Sequence, residues 1–595
     1  MKRRPKKWVS DSNSGSLITY GKVRPKRPKV LQWEGSFLIG QLLANIFVFN
    51  FGNRLCYAPT EITMSVESNF DQDMADEQST IDKSANAVYY GTSLADIPNI
   101  IRTPPILSDM QDIHDPDHVF LIKPFKYDPS NPDSEPEPIH GMEKYMDAWD
   151  DDHVRLPCSL GNVTRDGRHI WPIIQKALAQ LKQKCDEKTV TVHDIKTTIQ
   201  ESNGMNFEIR CLKQLINQVF SAEERAIFLY TILSKMISLA LNVGTICGQP
   251  PRLLRQESNR SVTMSQRQAS SLLACGFFCL FPEPHNRHST YQSLNFTHLL
   301  KSGAPWKIEK LKCILHYFRR ISEDMPKGVL TFRRFSFLKN SDPKWVESQV
   351  PLSNIHMIAN ATIEDQHGFL QVDFANEYIG GGVMNEGIVQ EEIRFTICTE
   401  MLVSVLFCEV MLPNECIYLI GCEQFATYSG YADTFKAKAT FIDKTPKDSW
   451  GRKLSQVVAM DAIYFRNPID QYTISCMNRE LFKAYASFHL PKSMNNFAFG
   501  IATGNWGCGA FNGDRHLKAI IQLMAASEAR RPLIYCSFHD KHLIESFWAI
   551  YEYLQEQKAT VGDLYLYLNQ YSMQHAQSTL FEFIFSTPVS SLKKS

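Results

Sequence analysis

The chain has 595 residues, too many for one compact domain at roughly 100–200 residues per domain. Apolar residues make up 44% and charged residues 21%, so most of the chain can bury a core and global disorder is excluded. Lysine plus arginine and aspartate plus glutamate are both 63. That zero balance argues against a surface that grips nucleic acid along its whole length, and leaves open an anionic ligand held in one local site.

The chain opens Met1-Lys-Arg-Arg-Pro-Lys-Lys7 and soon adds Lys22, Arg24, Lys26, Arg27 and Lys29. Such clusters suit a nuclear import signal or a solubilising arm, and the location expected is the nucleus and/or the cytoplasm. No secretory signal is read here. The apolar segment Phe37–Phe51 is shorter than the ~20 residues a membrane span needs and carries Gln41, Asn45 and Asn50, so no membrane association is expected. Residues 1–144 look poorly organised, and Asp128-Pro-Ser-Asn-Pro-Asp-Ser-Glu-Pro-Glu-Pro138 suits neither helix nor strand. A disordered N-terminal region is expected there. From about Trp171 to Ser322, within a domain placed at 145–325, the pattern is helical: Phe228, Ile232, Met236 and Leu239 share one helix face, and Leu212–Phe220, Ser265–Leu280 and Ile308–Arg320 continue it. This block is read as all-α.

Near Gly328 the texture changes. Val329–Phe332, Leu370–Phe374, Cys416–Ile420, Val457–Met460, Phe497–Ile501 and Leu533–Cys536 read as short buried strands. Helical segments at Thr399–Met411, Arg479–Phe488 and Arg515–Ala529 alternate with them, which predicts an α/β domain with a mixed or parallel sheet over 326–575. Helices are expected again at His542–Leu554 and Val561–Tyr571, and 576–595 is taken as a C-terminal tail. Loops at the carboxyl ends of such strands are the default binding face. The fifteen cysteines, with no C-x-x-C pair, suggest a reducing compartment without disulfides or zinc; Cys275 and Cys279 read as buried thiols.

Two loops could carry chemistry. In the first, Gly380-Gly381-Gly382 follows a strand, and glycines there let backbone N–H groups approach a phosphate or simply make a turn. Glu391 and Glu392 follow; such a pair is common on surface helices. Adjacent residues point about 100° apart on a helix and oppositely on a strand. If both are catalytic they have different jobs, because one loop does not readily set them on opposite sides of one bond. The second loop, Thr503-Gly-Asn-Trp-Gly-Cys-Gly-Ala-Phe-Asn-Gly-Asp514, runs from a strand into a helix, a sound anion site. It matches neither the dinucleotide fingerprint nor a P-loop. Tyr428, Tyr431, Phe511 and Phe538 fall after strands, where they could stack on a base or ribose or pack into the core.

Together these segments resemble the poly(ADP-ribose) glycohydrolase family. The resemblance rests on Gly380-Gly381-Gly382 with Gln390-Glu391-Glu392, on Val372-Asp-Phe-Ala-Asn376, on Tyr428-Ser-Gly-Tyr431 and on Thr503–Phe511. It extends through Leu311–Arg320 and His153–Cys158, and covers about 145–575. It implies a macrodomain-like mixed sheet flanked by helices and preceded by the helical accessory domain. It further implies Glu392 as the acid/base, Glu391 as the group gripping ribose hydroxyls, and Asp373 as a third acidic residue of the site. Asn376 would contact ribose, Gly381 and Gly382 the diphosphate, and Gly509, Ala510 and Phe511 its other side. Tyr431 would stack on adenine, Phe538 would pack on the ligand, and Glu364 would bond the adenine edge. Gln390 and Asn505 join the substrate-binding set. Many relatives have Gly-Gly-Asp where Asn512-Gly-Asp stands here; Asn tolerates positive φ, so the loop is expected to survive.

The implied reaction is hydrolysis of ribose–ribose O-glycosidic bonds in poly(ADP-ribose), mainly from chain ends, releasing ADP-ribose. Glu392 would protonate the departing hydroxyl and then take a proton from water. No metal or other cofactor is implied, no direct DNA binding is expected, and the family suggests a monomer acting on polymer attached to acceptor proteins. The competing reading is a non-catalytic ADP-ribose reader with the same pocket.

Overall fold

The computed structural model describes residues 89–99, 117–141, 144–282, 290–337, 342–489, 499–573 and 578–592. The basic clusters and the segment 37–51 lie outside the described residues. Among the described residues no helix is long and apolar enough to cross a membrane.

The helical part comprises α1 (Trp171–Asp186), α2 (Val192–Asn203), α3 (Arg210–Gln214), α4 (Ala222–Ile227), α5 (Leu233–Leu241), α6 (Val243–Cys247), α7 (Gln266–Phe277), α8 (Thr297–Lys301) and α9 (Pro305–Glu323). Local sequence starts several of them: Thr191 accepts the N–H of Asp194 ahead of α2, Ser265 that of Gln268 ahead of α7, and α9 opens on Pro305. The face carrying Phe228, Ile232, Met236 and Leu239 is buried, its first turn widened to a π-helical Phe228–Ile232. Cys275 and Cys279 are buried thiols.

The sheet has ten strands: β1 (Tyr89–Gly91), β2 (His118–Phe120), β3 (Ser261–Ser265), β4 (Val329–Ser336), β5 (Ile355–Ile358), β6 (Leu370–Ala375), β7 (Glu415–Ile420), β10 (Gln456–Asp461), β11 (Ile501–Gly504) and β12 (Leu533–Cys536); β8 (Ala426–Ser429) and β9 (Lys436–Thr440) form a separate hairpin. The order is β1-β5-β12-β11-β6-β10-β7-β4-β3-β2. Strands β5, β12, β11, β6 and β10 are mutually parallel, and β7, β4 and β3 continue antiparallel. The remaining helices are α10 (Gln390–Ile397), α11 (Ile474–Phe488), α12 (Arg515–Glu528), α13 (Lys541–Glu556), α14 (Val561–Ser572) and α15 (Leu580–Ser586). One apolar cluster joins the helical part to one face of the sheet and another packs α11–α15 on the other.

Four expectations need correcting. Residues 89–144 are not wholly unstructured: β1 pairs antiparallel with β5 and β2 parallel with β3, so both outer strands of the sheet come from that region. His118 Nε2 lies 2.8 Å from Thr263 Oγ1, and Tyr90 stacks on Trp548 at 6.1 Å. The helical block is not all-α, because β3 lies within it, fully buried, and pairs with β4 across the expected boundary at 325/326. Residues 576–595 include α15, which buries Leu580, Phe581, Phe583 and Ile584. Of the strand expected at Phe497–Ile501, residues 497–498 lie outside the described residues, and the described strand runs Ile501–Gly504, fully buried.

A chain starting at residue 145 therefore loses both outer strands and exposes the backbone groups of β5 and β3 to intermolecular pairing. It is expected to melt well below a chain starting at Tyr89 and to aggregate on heating. Equal melting midpoints for the two would show that β1 and β2 contribute nothing.

Candidate active site

The parallel strands end at one rim, and the loops after β5, β6, β11 and β12 meet there, the place where open α/β sheets bind ligands. Strand β7 runs the other way, so its carboxyl end is on the opposite rim. The β8–β9 hairpin carries Tyr428 and Tyr431 back: Tyr428 donates to Glu364 Oε1 at 2.5 Å after β5, and Tyr431 meets Phe538 after β12, ring centres 4.9 Å apart.

Three buried carboxyls converge at the end of β6. Asp373 is on the strand, fully buried, and neither oxygen has a hydrogen-bond partner among the described residues. Glu391 and Glu392 sit in the first turn of α10, where the helix dipole favours carboxylates. Glu391 accepts the N–H groups of Asn376 (2.8 Å) and Gly380 (2.6 Å). Glu392 accepts those of Gly382 (2.8 Å) and Val389 (2.9 Å), the latter bond capping its own helix. Gly381, at φ +51°, brings the two together: a Cβ there would meet Glu391 Oε2 at 2.5 Å and Glu392 Oε1 at 2.6 Å. Burial, then the charges of Asp373 and Glu392, push the Glu391 carboxyl well up, against the pull of its two amide donors. Burial pushes Asp373 up to about 8, with Arg394 opposing and Glu392 adding.

Gln390 fastens α10 to the strand: its Oε1 accepts the Phe374 N–H at 2.8 Å and its Nε2 donates to Val372 O at 3.3 Å. Its backbone N–H donates to Tyr431 Oη at 3.2 Å, which links the carboxyls to the aromatic pair. Burial and the charge of Glu392 raise the Tyr431 phenol. Asn376 turns the chain after β6, its Oδ1 accepting the Tyr378 N–H at 3.0 Å. Phe538, at φ +55°, stays about half exposed.

Gly381 and Gly382, expected along a diphosphate, use their N–H groups within the chain, on Tyr378 O (3.0 Å) and Glu392. The N–H groups of Gly509, Ala510 and Phe511 have no acceptor among the described residues, and Gly509 and Ala510 are exposed. This second loop is rigidly based. Trp506 is buried with its indole N–H on Met460 O (3.0 Å), and Lys518 lies 3.9 Å above its ring. Asn512 takes φ +59°, as the Asn-for-Gly departure required, and donates to Phe465 O. Asn505 is turned inward: it donates to Ser537 O (2.8 Å) and accepts from Tyr535 Oη (3.0 Å), tying β11 to β12.

Two site residues were not singled out from the sequence. Arg394 lies buried beside Asp373 and Glu364 and donates to Gln371 Oε1 at 2.6 Å. Lys310 reaches the glycine loop from α9. The available signal was a charged residue on an apolar helix face, one that solvated faces also give.

Known proteins align with this arrangement. A family model described as the helical domain of poly(ADP-ribose) glycohydrolase matches residues 220–334, and one described as its macro domain fold matches 342–545. The chain is 32% identical over 393 residues to poly(ADP-ribose) glycohydrolase 1 of Arabidopsis thaliana, covering 54% of this chain and 72% of that protein. It is 31% identical over 393 residues to the probable poly(ADP-ribose) glycohydrolase 2 of the same plant, covering 57% and 75%. With poly(ADP-ribose) glycohydrolase 1 of Caenorhabditis elegans it shares 34% over 351 residues, 56% of this chain and 43% of that one.

Proposed function

The chain belongs to the poly(ADP-ribose) glycohydrolase family, and we propose that it hydrolyses the ribose–ribose O-glycosidic bonds of poly(ADP-ribose) with Glu392 as the acid/base. The observation that carries this reading is the convergence of Glu391 and Glu392 on one glycine, Gly381, at the rim beside Tyr431. Both carboxylates stand on the same side of one loop, which supports separate jobs. Glu392 protonates the departing ribose oxygen; the C–O bond breaks through an oxocarbenium-like state; water attacks the anomeric carbon and gives its proton to Glu392. Glu391, braced by the amides of Asn376 and Gly380, holds the ribose hydroxyls. Asp373 and Glu391, both raised by burial, keep the site from carrying three full negative charges before an anionic substrate arrives.

The open amides of Gly509, Ala510 and Phe511 suit the diphosphate, and Tyr431 with Phe538 suits a flat ring. Glu364, already accepting from Tyr428, suits an amino edge of adenine. The basic clusters of the first thirty residues support a nuclear share of the protein.

Purified protein incubated with poly(ADP-ribose) is expected to release ADP-ribose. Tight binding of ADP-ribose with no release at any enzyme concentration would establish the non-catalytic reader instead.

A further inference from the structure

The loop that carries the three glycines is held from two sides. On one side its N–H groups at Gly380, Gly382 and Val389 donate to Glu391 and Glu392. On the other side its carbonyls face α9. Lys310 is completely buried, and its ammonium donates to the carbonyls of Val383 (2.8 Å), Asn385 (2.9 Å) and Gly387 (2.7 Å), with Gly382 O at 3.4 Å. Three short bonds use the three protons of an ammonium group. Its neighbours on α9 act on the same loop: the Trp306 indole donates to Glu386 Oε2 at 3.0 Å, and Lys307 forms an ion pair with Glu386.

A buried lysine is costly unless its donors are satisfied, and four carbonyls aimed at one buried point repel each other without a cation between them. A loop needing only to turn would leave those carbonyls in water. We propose that Lys310 is a positioning residue for this loop: its ammonium holds the carbonyl face of residues 382–387 so that the amide face stays locked on Glu391 and Glu392. The inference rests on the hydrolase reading and deepens it, because it makes the helical part a working component of the site.

The proton on Lys310 matters to this role. Burial pushes the ammonium down to about 7; Glu392 pulls it up, Lys307 lowers it, and Glu386 and Cys211 raise it. The neutral amine has two N–H bonds and a lone pair, so one of the three short carbonyl contacts turns repulsive. Turnover is therefore expected to fall as pH rises past about 7. Stability moves the other way: the unfolded chain keeps this proton to about 10.4, so between the two values the unfolded state binds more protons and Lys310 adds stability as pH rises. A role confined to stability would move both in the same direction.

The test compares the full chain with Lys310→Met, Lys310→Arg and Glu386→Gln. Lys310→Met is expected to lower kcat by about 10²-fold, the cost of a misplaced catalytic group, with a much smaller rise in KM through Glu391 and ADP-ribose affinity nearly unchanged. Its loop amides at Gly380, Gly382 and Val389 should exchange hydrogen faster. Lys310→Arg, charged at all accessible pH, should recover part of the turnover and move the alkaline limb upward. Glu386→Gln, at a partly exposed position, should lose about fivefold. If Lys310→Met does not fold, the shifted limb of Lys310→Arg and the loss in Glu386→Gln decide. Unchanged kcat and unchanged loop exchange overturn the proposal, as does a loss carried equally by ADP-ribose affinity. Wild type that releases no ADP-ribose refutes the hydrolase reading, and loop exchange then decides on the clamp by itself.

Discussion

Glu392→Gln is expected to lower turnover of poly(ADP-ribose) by about 10³–10⁴-fold while ADP-ribose still binds within a few-fold of wild type. General acid–base groups typically contribute about 10²–10⁴, and a group used as acid and then as base stands at the upper end. The amide keeps the shape of the side chain and can still accept the Gly382 N–H, now at 2.8 Å. Its NH₂ then takes the place of Oε2 and faces the Val389 N–H, so that bond is lost. The loss at the helix start is about 1 kcal/mol, so the melting midpoint moves little and the activity change is not an unfolding effect. Glu391→Gln should behave differently, raising KM as well as lowering kcat, because that side chain is assigned to the ribose hydroxyls. If Glu392→Gln retains more than a tenth of wild-type turnover, the proton is carried by another group, and Glu391 is the next candidate.

The parts of this site legible in the sequence were those whose chemistry is local. Three glycines after a strand, a glutamate pair at a helix start and a glycine-rich turn into Arg515 can be read in short windows, and each stands at the rim. What was not legible depends on distant partners. Strand β3 reads Ser-Val-Thr-Met-Ser, a strand-like alternation only five residues long that runs straight into helix α7, and it is fixed as a strand only by β2 and β4 on either side. Strand β1 is three residues long, and only its pairing with β5 gives it structure. The β8–β9 hairpin matters most for function, since β7 runs toward the wrong rim and the hairpin alone returns Tyr431 to Phe538. Lys310 and Arg394 were invisible for a different reason: a cation on an apolar helix face has meaning only once the carbonyls or carboxyls it faces are known. Asn505 was legible as a loop residue, but its side chain is engaged with Ser537 O and Tyr535 Oη at the end of β12.

Asp373→Asn is expected to change the pH dependence of stability and to reduce activity together. The Asp373 carboxyl is fully enclosed, and neither oxygen is hydrogen-bonded among the described residues. Burial raises it to about 8, Arg394 pulls it down and Glu392 pushes it up. The same group in the unfolded chain ionises near ~3.9. Between those values the folded protein holds a proton that the unfolded chain has released, so stability falls as pH rises through the window and levels off above about 8. Asparagine does not titrate, so the variant lacks this slope. Its melting midpoint relative to wild type should therefore be higher at pH 8 than at pH 5, by an amount on the order of a few kcal/mol in stability. Any fixed cost of burying the amide is the same at both pH values and cancels in that comparison. Glu400, pushed to about 8 by burial and by Glu423, gives a slope of the same sign, but wild type and variant share it. Below about 8 Asp373 is itself protonated and adds no charge; as it ionises above that value it raises Glu391, so the variant differs from wild type in the alkaline limb of kcat, where Glu391 ionises more readily. A site that gives up stability at its working pH for a proton-rich carboxyl cluster predicts both shifts. A midpoint difference identical at pH 5 and pH 8 means that Asp373 is ionised in the folded protein and that the cluster stores no proton there.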